Sequence, residues 1–399
     1  MNDLTYEQLV KAPASDVYAA FTNSTALRQW LCDVAHAIPQ VSGRIYFAWN
    51  SGYYASGEYI RLDPERAILF SYFGRNEPGI TEVEVTLHPI EGGTLVRLTH
   101  RGAGPAADWA TFRQEADHAW RTSLPNLASI IETGADLRIT TRPMLGVNCE
   151  DITDVNTARH NLSVKSGALL TTVFDGLGAK DAGLQPGDVL TRISGLEITT
   201  CADLLQTLGQ HKAGDPVEFI YQRGGEKLTT VVTLSARSIP AVPETPQALG
   251  KVLEDRYKEV NDQIADLIAG YSEAELSAQP EKSEWSAKEV LSHLVFAERL
   301  FIAQATDLVG DAVQYTDAYY DNQPASVQAI VEVYKTSARL MEEIRNMDAE
   351  IVAFVSNLPA EIAARKRTWW WLSTSLQSNI NHTYSHIPQI KAAADKAKN

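Results

Sequence analysis

The stretch Asn381-His382-Thr383-Tyr384-Ser385-His386 decides how the C-terminal part of this chain reads. An α-helix advances 3.6 residues per turn, so residues four apart stack on one face. His382 and His386 are so spaced inside a helical pattern, and two imidazoles so placed can grip one metal ion. A third histidine, His293, lies in an earlier helical pattern. Ser286-Ala287-Lys288-Glu289 is a capping box, with Ser at the start and Glu three residues on. Behind it Val290, His293, Leu294, Ala297 and Phe301 make one apolar helix face. On the last helix Leu372, Asn379, His382, His386 and Ile390 make a similar inward stripe, and Pro388 predicts a kink there. Two such faces meeting would bring three imidazoles into one core. Unpaired, they would be costly to desolvate, and a shared divalent metal would resolve that cost. The competing reading is of ordinary core or surface histidines, because an HxxxH spacing also arises by chance.

The chain has 399 residues, a length that suggests two to four domains. It is 44% hydrophobic and 21% charged, which is ordinary for a globular protein. The formal net charge of −15 argues against a general nucleic-acid binder, which needs a basic face, and against adsorption on anionic membranes. Cys32, Cys149 and Cys201 are far apart, odd in number and in no CxxC spacing. They read as neither a disulfide framework nor a zinc knuckle, and fit a reducing compartment. The N-terminus has no basic region followed by an apolar run, and no stretch approaches the ~20 apolar residues of a membrane span. The expectation is a cytoplasmic protein.

Residues 1 to 138 read as one module. Leu4 to Val10 is a strand, Pro13 opens a helix with Val17, Tyr18 and Phe21 along one side, and Asn23 to Leu31 is a second short helix. Strand-like runs follow at 44–49, 53–62, 67–73, 81–88 and 94–99, separated by Gly, Pro and Asn turn signals. A long amphipathic helix closes the module from about Ala107 to Glu132. One strand, two short helices, an antiparallel sheet and a closing helix spell the helix-grip fold. On Lys11-Ala12-Pro13, Val17-Tyr18-Ala19-Ala20-Phe21, Leu27-x-x-Trp30, Gly57-Glu58-Tyr59, Gly93-Thr94 and Ala119-Trp120, the module resembles the SRPBCC (START-like) superfamily. Within it, the resemblance is to the branch named for activators of the heat-shock-protein-90 ATPase. That resemblance implies an apolar cavity, for which Trp30, Trp49, Tyr54, Phe70, Trp120 and Leu124 are the candidates, and a small apolar ligand or a chaperone as partner. The alternative is that these side chains simply fill the core.

Residues 141 to 238 form a second module. Its sharpest segment is Ala182-Gly183-Leu184-Gln185-Pro186-Gly187-Asp188-Val189-Leu190. Thr200-Cys201-Ala202-Asp203 caps a helix carrying Leu204, Leu205 and Leu208, and two strands close around Arg223-Gly224-Gly225. The module resembles a PDZ domain of the bacterial HtrA type. By that resemblance Leu145, Gly146 and Val147 form the carboxylate-binding loop and strand edge, Leu204 and Leu208 lie on the facing helix, and a peptide C-terminus adds as a strand. No serine-protease domain accompanies it in this sequence.

A proline-rich linker, 239–246, leads to residues 247–399. Helices are expected at about 246–269, 286–308, 326–356 and 369–394. From about Thr245 to Lys396 the chain resembles the DinB-like (YfiT, damage-inducible) superfamily, through Glu284-Trp285-Ser286, His293 and the His382–His386 pair. The resemblance implies a four-helix bundle binding a divalent metal through His293, His382 and His386, and metal-dependent transfer or isomerisation with small thiols. Three nitrogen ligands suit zinc, nickel, manganese or iron. Asn379 and Tyr384 are the polar neighbours, and Tyr315, Tyr319, Tyr320 and Asp321 form a candidate overhanging loop. Arg365-Lys366-Arg367 beside Trp369-Trp370-Trp371 is a candidate anion-holding cluster, or packing at a bundle end. No residue marks a catalytic acid or base. The whole is a multidomain α+β chain: helix-grip, PDZ-like small β domain and all-α DinB-like four-helix bundle. The leading expectation is a metal-dependent transferase or hydrolase on a small substrate such as a thiol. The alternative is a non-catalytic adaptor that binds peptide C-termini and an apolar ligand.

Overall fold

The computed structural model describes residues 3–75, 77–160, 162–281, 284–310 and 324–398. The chain divides into two compact units, 1–135 together with 240–399, and 136–239. The candidate overhang residues Tyr315, Tyr319, Tyr320 and Asp321 lie outside the described residues.

The first unit opens with β1 (Leu4–Val10), α1 (Ala14–Thr22), α2 (Ser24–Trp30), β2 (Val34–Ala37), β3 (Arg44–Ala48), β4 (Tyr54–Asp63), β5 (Ala67–Gly74), β6 (Thr81–Ile90), β7 (Gly93–Arg101) and α3 (Ala110–Thr133). The strands make one antiparallel sheet in the order β1-β7-β6-β5-β4-β3-β2. Period-two alternation sets its inner face: on β7, Thr94, Val96, Leu98 and His100 are buried, while Arg97 and Arg101 are exposed. α3 lies on that face through Phe112, Ala116, Trp120, Leu124 and Leu127, spaced three and four apart. β2 escapes a reading by pattern because it has four residues, of which only Ala35 is buried.

The second unit holds α4 (Leu137–Thr140), β8 (Val147–Asp151), α5 (Asp154–His160), β9 (Ala168–Val173), α6 (Gly178–Asp181), β10 (Val189–Ile193), β11 (Leu196–Glu197), α7 (Cys201–Leu208), β12 (Pro216–Arg223) and β13 (Glu226–Thr233). Its sheet runs β13-β12-β10-β9-β8, with β11 paired to β10. β8 is therefore an edge strand, the place where an added strand would pair. α7 begins on the expected capping box, with Thr200 and Asp203 satisfying each other's backbone N–H groups. The buried Asp188 carboxylate is gripped by Arg223 at 2.6 and 2.7 Å, which ties the start of β10 to the end of β12. Against the expectation of no disulfide framework, the second unit holds a disulfide. Cys149 on β8 and Cys201 at the start of α7 form a disulfide with their Cα atoms 6.2 Å apart. Their sequence separation of 52 hid a neighbourhood that only strand and helix packing creates. Cys32 is free and buried.

The remainder of the first unit is helical: α8 (Pro246–Ile268), α9 (Glu273–Ser277), α10 (Ala287–Val309), α11 (Pro324–Val333), α12 (Ser337–Ser356), α13 (Glu361–Ala364) and α14 (Lys366–Lys398). α8 packs on α12 and α14, and α10 packs on the same two, so four long helices surround one core. The single helix expected over 326–356 is interrupted, because Thr336 caps a new helix by accepting from the Arg339 backbone. α14 continues through Pro388. α3 also packs on α14. At that contact Gly134, in the left-handed region at φ 80°, ends α3, and a Cβ there would fall 2.0 Å from the Lys366 carbonyl oxygen. The Gly134 carbonyl accepts from Arg367 Nη1. Among the described residues no helix is long and apolar enough to cross a membrane.

Candidate metal centre

The apolar stripe of α10 turns His293 inward, and the last stripe of α14 turns His382 and His386 toward it. The three rings converge. His293 Nε2 and His382 Nε2 are 3.2 Å apart, and His386 Nε2 and His382 Nε2 are 3.0 Å apart. One ring nitrogen of each histidine lies within 4.8 Å of the others. His293 is buried at 7% exposure, and its ring packs 5.3 Å from that of Trp285.

Hydrogen bookkeeping shows what such a cluster accepts. His386 Nδ1 lies 2.7 Å from Gln389 Oε1, an acceptor, so Nδ1 carries the ring proton and Nε2 presents a lone pair. His382 Nε2 faces both neighbours. If it bears a proton, it donates to only one of them. If it bears a lone pair, His386 Nε2 has no proton to give it. One of the two short N···N contacts is therefore always left without a hydrogen bond. A cation between them removes the conflict. Two ligands about 2.0–2.1 Å from one tetrahedral ion sit roughly 3.3–3.4 Å apart, close to these separations. Burial, and then the neighbouring His386, pushes the His382 imidazole down to about 4, and burial also lowers His386. Both are neutral near pH 7, the form that ligates. The residues fit a divalent metal.

The centre stands on a buried polar layer, of which the sequence reading singled out only Asn379. Asn379, one turn before His382, donates to Glu298 Oε1 at 2.7 Å. Tyr257 donates to the other Glu298 oxygen at 3.4 Å, and Asn261 donates to Asp348 at 2.6 Å. Glu298 and Asp348 are 2% and 4% exposed, and no cationic side chain among the described residues pairs with either. Burial raises both carboxyls well above the ordinary carboxylate range, and on Glu298 the Asp348 charge adds to the shift. The sequence signal was there: an acid inside each of two apolar helix stripes. Between the ordinary and the raised ranges the folded chain keeps protons that the unfolded chain has lost. Stability therefore falls as pH rises through neutrality, by up to about 1.4 kcal/mol per pH unit for each group. Glu298→Gln is expected to flatten that fall in urea unfolding between pH 4.5 and about 8. A fall as steep as the parent's would contradict a protonated Glu298.

The other candidates separate. Tyr384 turns to Glu259 on α8. Arg365-Lys366-Arg367 lies at the far end of α14, sixteen residues and about 24 Å from His382, so it does not share the histidine mouth. There Arg365 donates to the Val309 carbonyl, Trp369 donates to the Pro243 carbonyl, and Trp369 and Trp370 are buried while Trp371 is exposed. In the helix-grip part, a cavity of about 370 Å³ opens between sheet and α3, with Trp49 and Trp120 in its wall. Trp30, Phe70 and Leu124 are packed into the core instead. Tyr54 points outward at 45% exposure, because its neighbour Ala55 takes the inward position on β4. In the second unit Gly146 holds φ 86° against Leu177, Leu145, Leu204 and Leu208 are buried in the core, and Val147 on edge strand β8 is half-buried.

Comparison with known proteins gives three separate matches. Residues 11–132 match the family model for Activator of Hsp90 ATPase homolog 1-like protein, 143–234 that for the PDZ domain, and 256–390 that for the DinB superfamily. Among curated relatives, Serine protease Do-like HtrA of Lactococcus lactis subsp. cremoris is 32% identical over 115 residues, 28% of each chain. The Periplasmic pH-dependent serine endoprotease DegQ of Escherichia coli is 29% identical over 117 residues, 29% of this chain and 26% of that one. The chain thus spans under a third of the length of these relatives. Among solved structures, the solution structure of the Aha1 dimer from Colwellia psychrerythraea is 23% identical, covering 33% of this chain and 97% of that one, with a TM-score of 0.30. The chain carries, in order, an Activator of Hsp90 ATPase homolog 1-like domain, a PDZ domain and a DinB superfamily domain.

Proposed function

We propose that the C-terminal helices hold a divalent metal at His293, His382 and His386, and that this centre serves a transferase or hydrolase reaction on a small, thiol-bearing substrate. The convergence of three Nε2 atoms, with one short N···N contact that no proton can satisfy, carries the reading. Such an ion supplies Lewis acidity, by which a thiol or water loses its proton near neutral pH. The chain's residues do the rest. Gln389 fixes the His386 tautomer so that Nε2 faces the centre, a supporting contact of the kind that orients metal ligands. Trp285 packs its ring against that of His293. Asn379 and Glu298 hold the floor in one arrangement. Zinc, nickel, manganese and iron all suit three nitrogen ligands.

The test is turnover of small thiols by metal-loaded full-length chain. Consumption of the thiol that disappears in both His293→Ala and His386→Ala is expected. Activity that survives either change would overturn the assignment.

A second reading rests on β8 and on the first cavity. Together with the PDZ match, the unpaired edge of β8 beside α7 favours capture of a peptide C-terminus as an added strand. The helix-grip cavity, about 370 Å³ and walled by aromatic rings, favours a small, largely apolar ligand. On this reading the chain is an adaptor, and the metal centre stabilises the helices.

A further inference from the structure

The helix-grip cavity is selective in what its wall has left to offer. The donors on its rings are already spent. Trp49 Nε1 donates to the Leu31 carbonyl at 3.0 Å. Trp120 Nε1 donates to His100 Nδ1 at 3.1 Å, so the His100 proton sits on Nε2 and is given to Thr81 Oγ1 at 2.8 Å. The Thr81 hydroxyl in turn donates to the Tyr72 carbonyl. The Tyr53 hydroxyl donates to Glu77 at 2.5 Å, so the 3.0 Å contact between the two tyrosines is a donation from Tyr72 to Tyr53. What remains toward the cavity is the lone pairs of the Tyr72 oxygen, the π faces of the rings, and the Glu115 carboxylate, which has no partner among the described residues. The Ser51 and Ser123 hydroxyls can accept as well as donate. Among the described residues no lysine or arginine lines the space.

A carboxylate or phosphate in this cavity would lose its hydration and find few donors and no cation, a heavy desolvation cost. A ligand bearing N–H groups and a positive charge meets acceptors, a carboxylate and aromatic faces, which attract cations over their rings. We propose that the cavity binds an organic ammonium compound with an aromatic or bulky apolar body. The proposal rests on the reading of this cavity as a ligand site. Behind the wall, burial, with the Glu115 charge adding to it, pushes the Glu77 carboxyl that accepts from Tyr53 above its ordinary range.

The test is calorimetric titration of the full-length chain with three isosteres: 1-naphthylmethylammonium, 1-naphthylmethanol and 1-naphthylacetate. The ammonium compound is expected to bind saturably, roughly tenfold tighter than the alcohol. The carboxylate is expected to bind weakest. Glu115→Gln, an exposed change, is expected to weaken the ammonium compound about threefold to tenfold and leave the alcohol unchanged. Ala119→Trp, also exposed and at the lining, is expected to block all three. A carboxylate that binds as tightly as the ammonium compound would overturn the ligand class alone. Unaltered ammonium binding in Ala119→Trp would overturn the location. Absence of saturable binding by all three would overturn the ligand-cavity reading itself and the proposal with it.

Discussion

His382→Ala will abolish the metal-dependent stabilisation of this chain. In the parent, free metal at a hundred times its dissociation constant adds about 2.7 kcal/mol to the stability of whatever folded region holds it. His382 is the ring whose Nε2 touches both of the others, so its loss leaves His293 and His386 without the shared corner of the site. The drop in affinity should exceed the roughly 10–100-fold typical of losing a residue that merely supports a ligand. The same substitution has a second consequence. Without metal the parent retains one short N···N contact lacking a hydrogen, and His382→Ala removes it. The metal-free variant should therefore be no less stable by more than the cost of the small cavity left behind, while the metal-loaded difference is large. Thermal unfolding with and without added divalent ions reads both arms. The exposed His118→Ala variant should keep the parent's full response.

Gly134→Ala is expected to lower stability by about 2–4 kcal/mol and the unfolding midpoint by roughly 5–10 °C. Two effects add. Alanine is strained at φ 80°, and its Cβ would sit 2.0 Å from the Lys366 carbonyl oxygen and 2.8 Å from Trp370 Cβ. Neither neighbour is a free side-chain end that can swing aside, so the start of α14 must move away from the end of α3. Gly92→Ala separates the two effects. Gly92 has φ 87° with nothing within 4 Å of a Cβ, so it should show only the conformational part, about 1 kcal/mol. Equal losses in the two variants would show that the α3–α14 contact contributes nothing.

The elements that local rules govern were legible in the sequence. The Ser286–Glu289 box starts α10, the Thr200–Asp203 box starts α7, and His293, His382 and His386 lie on inward faces as their spacing predicts. Local rules stop where distant segments meet. The Cys149–Cys201 pair, the Gly134–Lys366 approach and the Glu298–Asp348 layer each join residues that no helical or strand period relates. Aromatic residues misled for a related reason. The SRPBCC resemblance makes Trp30, Tyr54 and Phe70 cavity candidates, but the pleat sends Tyr54 outward, and the Trp30 indole donates to the Ala20 carbonyl deep in the core. The donors that shape the cavity, from Trp120 through His100 to Thr81, emerge only once β6, β7 and α3 are packed.

The most direct measurement is metal content by elemental mass spectrometry on tag-free, full-length protein, before and after reconstitution with several divalent ions. A site formed by His293, His382 and His386 predicts about one equivalent per chain in the parent and little in His382→Ala. A parent that holds no metal after reconstitution would contradict the centre and leave the three converged imidazoles without an account.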